Sequence, residues 1–143
     1  MRQQAKVTSQ VEEKRDYLKL YRIAVLTEKA IDEEIQQLRM ERMSPQARLD
    51  GLPHVSIHSD LSVYAAKLDE LLRELESAMD SRMSLRRDIN QRIESVGDET
   101  EKLILRLKYI HCKDFEEIAE TLGYCSRHVQ RLHSKALEDF EME

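Results

Sequence analysis

Between Gln10 and Met43, apolar residues recur at three- and four-residue intervals: Tyr17, Tyr21, Ala24, Ile31, Ile35 and Leu38, with Glu28 on the same stripe. No Gly or Pro interrupts the stretch. That interval is one face of a 3.6-residue helix, so the pattern predicts a single long helix over about 10–43 with a coiled-coil-like seam. The nine residues before it are polar and are expected to fray. A second stretch, Asp60 to Val96, keeps a better heptad. Leu61, Leu68, Leu75, Ile89 and Val96 fall on one seam position; Tyr64, Leu71, Ala78 and Leu85 fall on the other; Arg82 and Arg92 are exceptions. Ser59 or Asp60 is placed to cap it. A helix of that length extends on the order of 55 Å at 1.5 Å per residue. It is expected to pair with the first helix, with a second copy of the chain, or with both. Ser44 to His58 holds both prolines and one glycine, which marks residues 44–59 as a linker.

The pattern shortens after Gly97. That glycine is positioned to end the second helix as a left-handed C′ residue, and Asp98 to cap a third, with Glu101 at the capping-box position. The third helix is predicted over Glu99–Ile110, with Leu103, Ile104, Leu107 and Ile110 inward. His111–Lys113 reads as a turn. Asp114, with Glu117 three residues on, forms a second capping box. The fourth helix then carries Phe115, Ile118, Ala119 and Leu122 on its apolar face, and Gly123 breaks it. A fifth helix starts at Cys125 or Ser126, with Val129, Leu132, Ala136, Leu137 and Phe140 inward. The expected architecture is all-α: a long helical hairpin or coiled coil over residues 1–97, then a three-helix module over 98–143.

Composition supports the class. Charged residues make up 36% of the chain, aromatics 5%, and Trp is absent, the profile of long helices rather than sheets. The net charge of -5 argues against a protein that coats nucleic acid indiscriminately, because such binding needs a basic surface. It leaves room for one local basic helix. Two cysteines, Cys112 and Cys125, are too few for a disulfide framework. Without a signal-like or membrane-spanning apolar run, the expected setting is the cytoplasm, with free thiols and no membrane partner.

The local basic helix is the fifth. From Ser126 through Leu137 it contains no acidic residue. A short helix, a tight turn at Gly and a second helix with a basic outer face make the pattern of a DNA-binding helix-turn-helix. With Val129, Leu132 and Ala136 inward, Ser126, Arg127, Gln130, Arg131 and Ser134 face out. Arg can bridge guanine O6 and N7, and Gln adenine N6 and N7. Arg127, Gln130 and Arg131 therefore suit direct readout. Lys135 and Lys113 suit phosphate, as do the free N–H groups of the helix start.

The segment LRLKYIHCKDFEEIAETLGYCSRHVQRLHSKALEDF resembles region four of bacterial sigma factors. The family's hydrophobic skeleton is met by Leu105, Arg106, Tyr109, Ile118, Ala119, Leu122, Gly123, Val129, Ala136 and Leu137. Cys125 stands at the cap position, where the family has Ser or Thr. The whole chain is similar to small prophage proteins of Gram-positive bacteria, akin to the RinA and ArpU late-gene regulators. The resemblance implies a phage or prophage transcription regulator, with base contacts on Ser126, Arg127, Gln130 and Arg131. Double-stranded DNA is the expected partner. A homodimer through the long helices and localisation at the bacterial nucleoid go with that reading. A different reading is an interaction module that engages RNA polymerase or another protein through the coiled coil and the acidic faces. A third is a phage DNA-packaging recognition subunit.

Other chemistries are weaker. Cys112, Cys125, His128 and His133 do not have the spacing of structural zinc sites. His128 and His133, five apart on a helix, point in different directions. Glu116, Glu117 and Glu120 read as a solvated face, and Cys125 as a small buried or capping residue. Neither a phosphate-binding glycine loop nor a nucleophile–base set is present. The chain is expected not to be an enzyme and to need no cofactor or metal.

Overall fold

The computed structural model describes residues 1–43 and 57–142. It is all-α. Among the described residues five α-helices run in the order α1 (Arg2–Met43), α2 (Ile57–Ile93), α3 (Glu99–Leu105), α4 (Phe115–Leu122) and α5 (Ser126–Asp139), with a π-helical turn, Arg106–Ile110, continuing α3. Most of the linker, residues 44–56, lies outside the described residues. No helix among the described residues is long and apolar enough to cross a membrane.

Contacts group the chain into two compact units. One joins residues 1–23 to 82–143; the other is 24–81. In the second unit Ile35 and Leu71 are buried, and the Arg42 guanidinium lies 4.4 Å from the centre of the Tyr64 ring. Leu61, expected on the seam, is 43% exposed.

In the first unit the two long helices run antiparallel. Tyr17 meets Asp88 through its hydroxyl, with the Arg92 guanidinium 5.4 Å from its ring centre. Arg82 Nη1 donates to the Tyr21 hydroxyl at 3.3 Å. The two arginines that interrupt the α2 heptad thus lie against the two tyrosines of the α1 seam. Leu18, off the predicted stripe, is fully buried with Ile89 and Ile93.

Several boundaries differ from the sequence reading. Helix α1 already begins at Arg2; the polar opening segment contains no Gly or Pro and is built mostly of good helix formers, so nothing stops the helix. Helix α2 ends at Ile93, not Val96, in two tight bonds, Ser95 N to Arg92 O and Val96 N to Ile93 O. Gly97 does not adopt a left-handed conformation, because the helix has closed before reaching it. Asp98 does cap α3, accepting from Thr100 N at 2.8 Å and Glu101 N at 3.0 Å. Glu101 does not complete a capping box. Its side chain turns inward and is 1% exposed, with Oε1 3.5 Å from Lys135 Nζ and Oε2 without a hydrogen-bond partner.

The third helix also departs from the prediction. From Arg106 its bonds widen, with His111 N reaching Arg106 O at 3.0 Å. The extra residue in that turn changes which side chains point inward. Tyr109 and Ile110 are both buried, as is Leu105, whereas Leu103 is 41% exposed. The chain leaves through Cys112, at φ 55°, with Lys113 N bonded to Leu107 O at 3.0 Å. Ile104, Ile118, Ala119 and Val129 then form a buried cluster, packed against by Leu107, Phe115, Leu122 and Leu132. Three short helices thereby share one core.

Candidate nucleic-acid interface

Local chemistry places α4 and α5. Asp114 Oδ1 accepts from Glu117 N at 2.8 Å, and Glu117 Oε2 accepts from Asp114 N at 2.9 Å. The reciprocal pair satisfies two of the amides that an α-helix start leaves open. At the other end Gly123 is left-handed, at φ 71°. Its N–H and that of Tyr124 both reach the Ala119 carbonyl, a closure that only glycine adopts without steric cost. The chain then turns directly into α5. Cys125 occupies the cap position but makes no side-chain cap bond, and it is exposed rather than buried. A thiol is a weak acceptor, so the first amides of α5 are left to other partners.

Helix α5 has two unlike faces. Val129, Ala136 and Leu137 are fully buried, as is Phe140 just beyond the helix, and His133 is 4% exposed. On the opposite side Arg127, Gln130, Arg131, Ser134 and Lys135 are all exposed, and Ser126 is half-buried at the start. The sequence-derived residues of α5 therefore stand on one continuous outer surface. Within it, Gln130 Nε2 lies 3.5 Å from Ser126 Oγ, and Arg131 Nη2 lies 3.1 Å from His128 Nδ1. His128 packs edge-on to Tyr124, with ring centres 5.0 Å apart. Lys135 is also paired with Glu101 from α3. Lys113, in the turn before α4, is half-buried.

The far end of α5 is fixed by α1. Lys14 Nζ donates to the carbonyls of Leu137 at 2.9 Å and Glu138 at 3.0 Å. A cation at a helix C-terminus satisfies orphan carbonyls and opposes the negative end of the helix dipole. Phe140 lies 6.3 Å from the Tyr17 ring, centre to centre.

Beneath the outer face is a buried polar pair that the sequence reading did not find. Tyr109, brought round by the π turn, has its hydroxyl 2.7 Å from His133 Nε2. Phe115 meets the same imidazole edge-on at 5.0 Å. Burial, reinforced by the charges of Arg15 and Lys108, lowers the His133 pKa to about 4. Burial likewise raises the Tyr109 pKa to about 12. At neutral pH both are uncharged, as a core hydrogen bond requires. The spacing of His133, four after Val129 and three before Ala136, already set it on the inner face. The register of Tyr109 depends on a π turn, which carries no comparable signal.

Comparison of the chain with protein-family models, with curated proteins and with solved structures finds no match in any of the three.

Proposed function

We propose that this chain is a sequence-specific DNA-binding protein that regulates transcription of phage or prophage genes, with α5 inserted in the major groove. The observation that carries the reading is the exposure of Arg127, Gln130 and Arg131 on the outer face of a helix whose inner face is buried. These side chains have the donor and acceptor geometry that base edges require. They lie in the first turns of α5, which reach the bases in helix-turn-helix proteins. The sharp Gly123 turn before α5 and the Lys14 bonds at its far end supply the rigidity that readout needs. The likeness to sigma region four points the same way.

A homodimer belongs to this proposal. Leu72 and Met79, seven residues apart on α2, remain 42% and 39% exposed. Apolar side chains at helical spacing on the outside of long helices suit a second copy of the chain.

Selection of bound duplexes from a randomised DNA library with the full chain tests the function. The expected result is one enriched motif. Arg127→Ala and Arg131→Ala should each weaken binding to that motif by about 1–3 kcal/mol, roughly 5- to 150-fold, and relax preference at one or two base pairs. Both positions are exposed, so folding should be unaffected. Undiminished preference in the double variant would remove the readout assignment.

A further inference from the structure

Helix α1 presents two stripes to the same unit. Lys14, Leu18 and Tyr21 share one face: Leu18 and Tyr21 are buried and Lys14 caps α5. Arg15, Lys19 and Arg22 repeat at the same four- and three-residue spacing on the adjoining face. Lys19 and Arg22 are exposed and Arg15 is half-buried. Across from them stands Lys108 of the π turn, its ammonium 4.2 Å from the centre of the Phe115 ring. Burial is the main cause that lowers the Lys108 pKa, and the fields of Arg22, Lys19 and Arg15 add to it. The carboxylate whose field reaches Lys108 is Asp114.

Arg15, Lys19 and Lys108 border an open depression of about 320 Å³, and Arg22 continues the α1 stripe beyond it. The wall of the depression also includes Tyr109, Gln130 and Ser134. Gln130 and Ser134 also belong to the outer face of α5, so the depression and the proposed reading surface are continuous. None of the four cations forms an ion pair with a carboxylate among the described residues. Four cations close together without a carboxylate ion pair among the described residues, in a chain of net charge -5, repel one another and favour an anionic partner.

We propose that Arg15, Lys19 and Arg22 of α1, with Lys108, form a phosphodiester-binding site that grips the DNA backbone beside the groove occupied by α5. The proposal rests on the DNA-binding function above. From Arg15 to Arg22 the stripe runs roughly 10 Å at 1.5 Å per residue. Phosphates follow one another along a strand at about 3.4 Å of axial rise. A row of cations over that length matches successive phosphates better than one free anion. The α1 helix would then both anchor α5 and hold the strand next to it.

The test compares the full chain with its Lys19→Gln/Arg22→Gln variant on the duplex enriched by selection, by fluorescence anisotropy from 50 to 200 mM NaCl. Both side chains are exposed, and circular dichroism confirms that the helices persist. Two lost phosphate contacts should flatten the slope of log affinity against log salt by about 1.8. The deficit of the variant should therefore shrink about twelvefold across that salt range. Its base preference should be unchanged. An unaltered salt slope would overturn the site, and an altered base preference would overturn its assignment to phosphate. Arg127→Ala/Arg131→Ala supplies the contrast, losing preference while keeping the α1 share of the slope. If the full chain enriches no duplex at all, the DNA reading fails and this site fails with it; if it enriches one and the slope is unaltered, only this site fails.

Discussion

His133 is a titratable side chain held in the core. It is 4% exposed, bonded to Tyr109 and faced by the charges of Arg15 and Lys108. Its pKa is about 4 in the folded chain, against an ordinary 6.5. Between those values the unfolded chain binds the proton and the folded chain does not. Stability from this group is therefore complete above about pH 6.5 and is lost as pH falls toward 4. At pH 5 the loss should be about 2 kcal/mol. Glu101 acts with the opposite sign. Burial, then the neighbouring Asp139, raises its carboxyl pKa, so it favours the fold more as pH falls. Urea midpoints should thus be compared in a Glu101→Gln background. There the midpoint should drop between pH 7.5 and 5, and His133→Gln should flatten the drop. A midpoint that falls equally in both would show that other groups carry the acid limb.

At the scale of elements, the two described glycines make opposite predictions. Gly123 ends α4 at φ 71°, and a Cβ there would meet no atom within 4 Å. The cost of Gly123→Ala is then the backbone alone, about 1–2 kcal/mol. Gly97 is not left-handed and is equally open, so Gly97→Ala should be neutral or add about 0.4–1 kcal/mol through the unfolded chain. Thermal unfolding separates them, since 1 kcal/mol moves the midpoint of a chain this size by roughly 2–4 °C or somewhat more. If Gly97→Ala were as costly as Gly123→Ala, the early closure of α2 at Ile93 would be wrong. The contrast also marks what the sequence made legible. The α4–turn–α5 element was readable because Asp114, Glu117 and Gly123 each act on neighbouring backbone. Gly97 misled because the same residue type is compatible with a closure already made by Ser95 and Val96. The π turn was hidden because its side chains read as ordinary helix. The anchoring of α5 by Lys14 spans more than a hundred residues, and the approach of Arg15 and Lys19 to Lys108 spans 93 and 89; no local pattern encodes either. The face bearing Arg127, Gln130 and Arg131 was legible because the apolar stripe opposite it fixed its direction.

For the molecule as a whole, the proposed dimer determines the form of the DNA site. Net charge of -5 gives little general attraction to a polyanion, so one α5 with a few phosphate contacts should hold DNA weakly, with a salt slope set by those few contacts. Two copies double both terms. Half-sites read by a symmetric pair lie on one face of the duplex, 10–10.5 base pairs apart or a multiple of that. The enriched motif should accordingly be a two-fold repeat with that spacing. Inserting about five base pairs between the halves turns one to the far side of the helix, and binding should fall toward that of a single half-site. Inserting about ten restores the facing and should recover part of the loss. Half-site spacing tests the assembly without presuming which surface of the long helices pairs. If a lone half-site bound as tightly as the full motif and the five-pair insertion had no effect, the chain would be reading DNA as a monomer. The exposed Leu72 and Met79 would then need a partner other than a second copy.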